Sequence, residues 1–160
     1  MFCYQCQEAS KGIGCSLVGV CGKTPEVSDL QDLLIYQLKG MAVLSTQLRK
    51  IKIENSAVNK FITEGLFMTI TNANFDAERF VNKINEGFLL RDQLKTQLYN
   101  AGKSIQASDL LTWKATGMAE MEKKAKNIGI LSTKDEDIRS LRELAIYGLK
   151  GMAAYAEHAL

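Results

Sequence analysis

The sequence has very little histidine and proline: one residue of each, and one tryptophan, occur among 160 residues. With a single histidine, no phosphate-binding loop and no nucleophile beside a partnered base, a hydrolase has little support. No apolar run approaches the roughly 18 residues of a membrane span, and the first residues lack the regions of a signal sequence. The 20 basic and 18 acidic side chains give a net charge of +2, which lacks the strong positive charge of a nucleic-acid-binding surface. These absences predict a cytoplasmic protein that binds neither nucleic acid nor membrane.

Cysteine is absent after Cys21, because all four cysteines lie near the N-terminus. They are Cys3, Cys6, Cys15 and Cys21, and their spacing is C-x2-C-x8-C-x5-C. In a reducing compartment, clustered cysteines indicate metal binding or redox chemistry more often than a structural disulfide. The four thiols are therefore the candidate site.

The spacing of these cysteines favours an iron–sulfur cluster. Thiolates two residues apart can both turn toward one metal centre, and glycine-eased loops can bring the other two around it. Zinc is the main alternative, although zinc modules typically present two tight C-x2-C pairs and this sequence has one. A disulfide or plain buried thiols are the third interpretation. Lys11 and Lys23 lie beside these positions, either as ordinary solvated lysines or as cations that would ease reduction of an anionic cluster.

The rest of the chain predicts an all-α fold. Residues 1–27 contain the only proline and predict a loop. Ser28 and Gln31 fit a capping box, so a first helix is predicted from Ser28 to about Lys50. Apolar periodicity predicts further helices over about 56–72, from after Phe75 to about 100, over 108–127 and from about 137 to 160. We expect a three-helix-bundle-like domain over residues 28–160, which together with the cysteine-rich cluster-binding loop, residues 1–27, forms one domain.

One ten-residue segment occurs twice. LLIYQLKGMA, residues 33–42, and LAIYGLKGMA, residues 144–153, agree at eight of ten positions. The repeat indicates a duplicated helix, two helices that pack through Gly40 and Gly151, or a coincidence of core composition. We expect the last helix to pack against the first. Because the helical pattern runs to Leu160 without a terminating residue, we also expect an N-terminal piece of a longer architecture that self-associates, most simply as a homodimer.

Five separated segments carry a resemblance to a known family. They are MFCYQCQEASKGIGC, VCGKTPEVSDLQDLLIY, TITNANFDAERF, KAKNIGIL and EDIRSLRELAIYGLKGMAAYAEHA. In this order they resemble the N-terminal domain of the hybrid cluster protein family, whose members are also called prismane proteins or hydroxylamine reductases. The resemblance covers nearly the whole chain and is weakest from about residue 100 to 116.

The resemblance implies a cofactor and a role. In that family the N-terminal cysteines hold a conventional iron–sulfur cluster, and the spacing here matches the cubane form. Cys3, Cys6, Cys15 and Cys21 are thus implied to be [4Fe–4S] ligands. The family reduces hydroxylamine or nitric oxide at a second, hybrid cluster whose ligands lie in later domains, and this chain has no fifth cysteine. We therefore expect an electron-transfer domain that takes electrons from a redox donor protein and passes them toward those domains, without catalysis of its own.

A zinc-stabilised helical interaction module without redox activity is the alternative function. The remaining distinctive residues carry less weight. His158 is expected at a surface or interface, and Trp113 is expected only to pack. Tyr4 is expected either to shield the cluster from water or to be a half-buried aromatic.

Overall fold

The computed structural model describes residues 2–9 and 14–159, and within these ranges the regular elements are helices, with no strand. The predicted all-α fold is confirmed. Short 3-10 turns lie at Gln7–Ala9 and Ile130–Ser132. The described α-helices are α1 (Pro25–Lys50), α2 (Ser56–Met68), α3 (Ala77–Asn100), α4 (Asp109–Thr112), α5 (Met118–Ile128) and α6 (Glu136–Ala159). None of them is both long enough and apolar enough to cross a membrane.

α1 begins earlier than the sequence predicted. Thr24 is the N-cap, and its side chain accepts a hydrogen bond from the Val27 amide. Pro25 takes the first helical position, where the missing N–H has no intrahelical partner to lose. The capping box predicted at Ser28 is wrong, because Ser28 is buried inside the helix and its hydroxyl donates to the Phe2 carbonyl at 3.1 Å. This bond ties the N-terminal loop to α1.

α1 is the central helix of the fold. It packs against α2, α3, α4 and α5, most extensively against α3. Its buried apolar residues recur at three- and four-residue steps, as the periodicity predicted. They are Val27, Leu30, Leu33, Leu34, Leu38, Met41, Leu44 and Leu48. Phe61 of α2 and Phe80, Ile84 and Phe88 of α3 pack against this face, so α1, α2 and α3 form the predicted bundle.

Two glycines let the helices of the bundle approach closely. A β carbon on Gly65 of α2 would lie 2.9 Å from Leu38 Cδ1, and one on Gly87 of α3 would lie 2.7 Å from the Gln37 amide. Gly65 weakens α2 as an isolated helix, but the packing against α1 requires it. Gln37 in turn donates to the Ile84 carbonyl at 2.9 Å, which fixes α1 to α3 in the core.

The region that the sequence predicted as one helix over 108–127 is two helices, α4 and α5. The chain leaves α4 at Trp113, whose backbone is not helical. Arg91 of α3 holds the break, because its buried guanidinium donates to the Trp113 carbonyl at 2.6 Å. Thr116 then donates from its amide and its hydroxyl to the Glu120 carboxylate, which starts α5. Local periodicity could not predict a break that a distant arginine stabilises.

α6 packs mainly against α2, whereas the repeat predicted that it packs against α1. Gly40 of α1 does lie at a close contact, since its β carbon would lie 2.5 Å from the Leu110 carbonyl oxygen. That contact is with α4. Gly151 of α6 has open space beside it. The predicted contact between Gly40 and Gly151 is therefore wrong, because α4 occupies the place beside Gly40.

Candidate metal centre

The cysteines line one cavity at the N-terminal end of α1. The cavity is lined by Cys3, Cys6, Cys15 and Cys21, together with Gln5, Glu8, Gly19, Val20, Lys23 and Thr71. Cys3 and Cys15 are half-buried, Cys6 and Cys21 are exposed, and all four are free thiols. The structure thus brings together every cysteine that the sequence selected.

The thiols surround this cavity without converging on one point. Among residues 2–9 and 14–159, no three histidine, cysteine, aspartate or glutamate side chains are placed to hold a single metal ion. A mononuclear zinc site needs its sulfurs about 2.3 Å from one atom. A cluster of several irons instead takes one thiolate at each of several places around a larger body.

Backbone hydrogen bonds hold the two arms of the cysteine loop together. The Phe2 amide donates to the Cys15 carbonyl at 3.0 Å, which pairs the first arm with the second. The Ala9 amide donates to the Cys6 carbonyl at 3.1 Å, which closes a 3-10 turn directly after Cys6. These bonds place the C-x2-C pair beside the third cysteine.

Two hydrogen bonds attach the turn after α2 to the cysteine loop and to α1. The Thr71 hydroxyl donates to the Gln5 carbonyl of the loop at 3.1 Å, and the Gln31 side-chain amide of α1 donates to the Asn74 carbonyl at 3.5 Å. Asn72 has a φ of 64°, a left-handed conformation that asparagine adopts more readily than most residues. α2 accordingly ends before residue 72, where the sequence predicted its end. The turn over residues 69–74 therefore packs against the cysteine loop and supports it.

The segment from Gly19 to Lys23 forms the other wall of the cavity. The Gly19 amide donates to the Lys23 carbonyl at 2.7 Å, and the Gly22 amide donates to the Gly19 carbonyl at 2.8 Å. Gly22 has a φ of 91°, a conformation that favours glycine. A β carbon on Gly19 would lie 3.2 Å from Cys21 Sγ. One glycine therefore supplies the turn and the other supplies room beside a thiol.

Two donors point at sulfur atoms. The Val20 amide nitrogen lies 3.4 Å from Cys15 Sγ, and Lys23 Nζ lies 3.8 Å from Cys3 Sγ. In an iron–sulfur cluster, donors that point at ligand sulfur raise the reduction potential.

Lys23 is buried at the site, with only 1% of its surface exposed. Its ammonium group donates to Gln31 Oε1 at 2.8 Å and to Gln5 Oε1 at 3.1 Å, in addition to the sulfur contact. No carboxylate of the residues described forms an ion pair with it. The interpretation of Lys23 as an ordinary solvated lysine is wrong, while Lys11 lies outside the described residues.

A larger cleft of about 1050 Å³ lies between α1 and α6, beside the cysteine cavity. Gln5 and Thr71 line both spaces. Lys150 of α6 lies in the cleft and donates to the Thr69 carbonyl at 3.0 Å. Burial lowers the pKa of Lys150 to about 8, and the charge of Asp32 opposes this shift. Burial also raises the pKa of Asp32 to about 7, opposed by Lys150.

The other residues that the sequence singled out do not line the cysteine cavity. Tyr4 is half-buried and lines the cleft between α1 and α6. His158 is exposed and packs edge-on against Phe67, with ring centres 5.9 Å apart. Trp113 packs edge-on against Phe88 at 5.7 Å, as predicted.

The polar residues that form hydrogen bonds around the cysteine loop were not predicted from the sequence. Gln5 lies inside the C-x2-C segment, and Gln31 was assigned to a helix cap although it is buried against Lys23. Thr71 belongs to the TITNANF stretch, which has no apolar periodicity and many polar residues. A polar, aperiodic stretch between two strongly periodic helices is the signal that could have indicated a supporting turn.

The structure is a helical domain in which four free thiols line one N-terminal cavity. Comparison with family models identifies its family. The model of the Prismane/CO dehydrogenase family matches residues 1–160. The chain belongs to this family, in agreement with the resemblance of its motifs.

Curated relatives agree with this assignment. A hydroxylamine reductase from Parabacteroides distasonis is 60% identical over 160 residues. Hydroxylamine reductases from Desulfitobacterium hafniense and Thermoanaerobacter pseudethanolicus are 58% and 53% identical over 161 and 160 residues. Each alignment covers 99% of this chain and 29% of the relative, so the chain spans less than a third of their length.

Proposed function

We propose that Cys3, Cys6, Cys15 and Cys21 bind a [4Fe–4S] cluster and that the chain is an electron-transfer domain of a hydroxylamine or nitric oxide reductase. The observation that carries the proposal is that all four thiols line one cavity at the N-terminal end of α1. The C-x2-C-x8-C-x5-C spacing supports it. So does membership in a family with hydroxylamine reductases among its close relatives.

The surroundings of the thiols fit an anionic cluster. Four thiolates around a cubane carry a net negative charge. The chain places the buried ammonium of Lys23 beside Cys3 and the Val20 amide beside Cys15. Both donors would stabilise the negative charge of cluster-bound sulfur.

The exposure of the cysteines supports a proposed side for electron entry. When bound, a cubane cluster accepts and releases one electron at a time. Cys6 and Cys21 are exposed, while Cys3 and Cys15 are half-buried against the loop. We place the contact with a redox donor protein on the side of Cys6 and Cys21. We also place the chain in the cytoplasm, where a reducing environment keeps free thiols available for a metal centre.

Substrate turnover is not assigned to these residues. A cubane held by four thiolates has a protein ligand on every iron, which leaves no open position for a small nitrogen compound. We expect the cluster-loaded chain to be reduced by dithionite and reoxidised by an artificial acceptor. Reduced viologen should not be oxidised in a hydroxylamine-dependent way above a free-cluster control. Sustained ammonia production that a Cys6→Ser variant abolishes would contradict this assignment.

The test of the ligand set compares Cys6→Ser and Cys15→Ser with Leu17→Ser, an exposed position in the same loop. After anaerobic reconstitution, the wild type and Leu17→Ser should show broad visible absorbance that dithionite bleaches. The two cysteine variants should lose it, because a hydroxyl is a poorer ligand for iron than a thiolate. Unchanged absorbance and iron content in both cysteine variants would show that the ligands lie elsewhere. Colourless wild type with stoichiometric zinc would instead support the zinc-stabilised interaction module.

The homodimer expected from the sequence stays a prediction. α6 exposes large apolar side chains, of which Leu144 and Tyr147 line the cleft between α1 and α6. The others with the largest exposed fractions are Leu141, Met152 and Tyr155. Light scattering at high concentration should give the mass of a symmetric dimer, whereas a monomer would contradict it.

A further inference from the structure

The ammonium group of Lys23 has three N–H donors and three acceptors around it. They are Gln31 Oε1 at 2.8 Å, Gln5 Oε1 at 3.1 Å and Cys3 Sγ at 3.8 Å. Two of these acceptors are neutral amide oxygens. The sulfur of Cys3 is the only one of the three that can carry a negative charge.

The two amides are oriented by bonds of their own. Gln5 Nε2 donates to Gln31 Oε1 at 2.9 Å, and Gln31 Nε2 donates to the Asn74 carbonyl at 3.5 Å. Both oxygens accept from the ammonium group of Lys23, and Gln31 Oε1 also accepts from Gln5 Nε2. The cradle joins three parts of the chain: the cysteine loop, α1 and the turn after α2. Such a cradle fixes the cation in place, unlike a lysine on a flexible surface.

A buried cation without a counter-charge is costly, and two neutral amides offset only part of the cost. Among residues 2–9 and 14–159 no carboxylate pairs with Lys23. The thiolate ligands of an anionic cluster would place the missing counter-charge at Cys3.

We infer that Lys23, held by Gln5 and Gln31 against Cys3, is a positioning residue that serves as the fixed counter-charge of the cluster and raises its reduction potential. The inference rests on the proposed function. With a cluster bound, one electron added from the donor would make the site more negative while the ammonium group of Lys23 stays in place. Lys23 would then attract the reduced state more strongly than the oxidised state, which would favour reduction.

The test measures the reduction potential of the cluster-loaded chain in three variants, with dithionite as the electron source. Lys23→Met removes the charge, and Lys23→Arg keeps it. Lys50→Met is the matched control, because it removes the same charge at the far end of α1, roughly 40 Å away at 1.5 Å per residue. The potential of Lys23→Met should shift to a more negative value. The potentials of Lys23→Arg and Lys50→Met should stay close to that of the wild type.

The other possible results of this experiment also support or overturn the role of Lys23 as a counter-charge. An unchanged potential in Lys23→Met overturns it and leaves the proposed function standing. If Lys23→Met assembles no cluster, assembly by Lys23→Arg supports the counter-charge, whereas failure of both variants assigns Lys23 to packing and overturns it. A wild type that binds no iron and no sulfide removes the proposed function and this inference together.

Discussion

The two copies of the repeated segment have almost the same sequence and opposite surroundings. In α1, Leu33 and Met41 are each 0% exposed. The equivalent residues of α6, Leu144 and Met152, are 69% and 68% exposed. Since eight of ten residues agree between the segments, the local sequence does not determine which face of the helix is buried.

The two helices bury different faces of the same pattern. α1 turns Met41 into the core and leaves Lys39 and Ala42 exposed. α6 turns the opposite face toward α2, so that Ala153 is buried and Lys150 is half-buried. The number of neighbouring helices decides how much of each copy is buried. α1 packs against four helices, while α6 packs mainly against one.

The largest difference between the copies should appear when the equivalent methionines are truncated. Met41→Ala should lower the free energy of unfolding by about 2–5 kcal/mol, because it leaves a cavity in the core. Met152→Ala should change it by less than about 0.5 kcal/mol, because the side chain is exposed. Urea denaturation followed by circular dichroism measures both. Equal losses in the two variants would show that the two helices are buried alike.

Replacement of the equivalent glycines, Gly40 and Gly151, by alanine should change the stability of the fold in opposite directions. Gly40→Ala should destabilise the fold by about 1–3 kcal/mol, because the added carbon meets the Leu110 carbonyl. Gly151→Ala should stabilise it by about 0.5–1 kcal/mol, because alanine is the better helix former and the space is open. Thermal unfolding of both variants beside the wild type checks this. A destabilised Gly151→Ala would restore the helix contact that the repeat suggested.

The equivalent lysines, Lys39 and Lys150, should differ in their effect on the pH dependence of the free energy of unfolding. Burial lowers the pKa of Lys150 from 10.5 to about 8, with Lys23 contributing to the shift and Asp32 and Glu143 opposing it. The unfolded state then binds more protons between these two values, so stability should rise with pH over that window. Below about pH 8 both states are protonated and the cost of burying the charge is fully present.

The matched variants are Lys150→Met and Lys39→Met. Lys150→Met should remove this part of the rise in the free energy of unfolding, and Lys39→Met should keep it, because Lys39 is exposed. Urea titrations at several pH values across the window measure the slope. The same slope in wild type and Lys150→Met would contradict the assignment of the shift to burial of Lys150.

Features that depend on local periodicity could be predicted from the sequence. The helices, the apolar face of α1 and the grouping of the four cysteines follow from residue spacing alone. The predicted start of α1 at Ser28 was wrong because two possible N-caps, Thr24 and Ser28, lie within one turn of each other. Thr24 followed by Pro25 forms the better cap. Features that depend on distant contacts were missed. The break after α4 requires Arg91, and the burial of Lys23 requires Gln5 and Gln31 from two separate segments.

Metal analysis of the anaerobically purified chain tests whether the four cysteines bind a [4Fe–4S] cluster. The measurement determines iron, acid-labile sulfide and zinc per chain in the same sample. We expect about four iron atoms and about four sulfides per chain, with little zinc. About one zinc per chain without sulfide would contradict it.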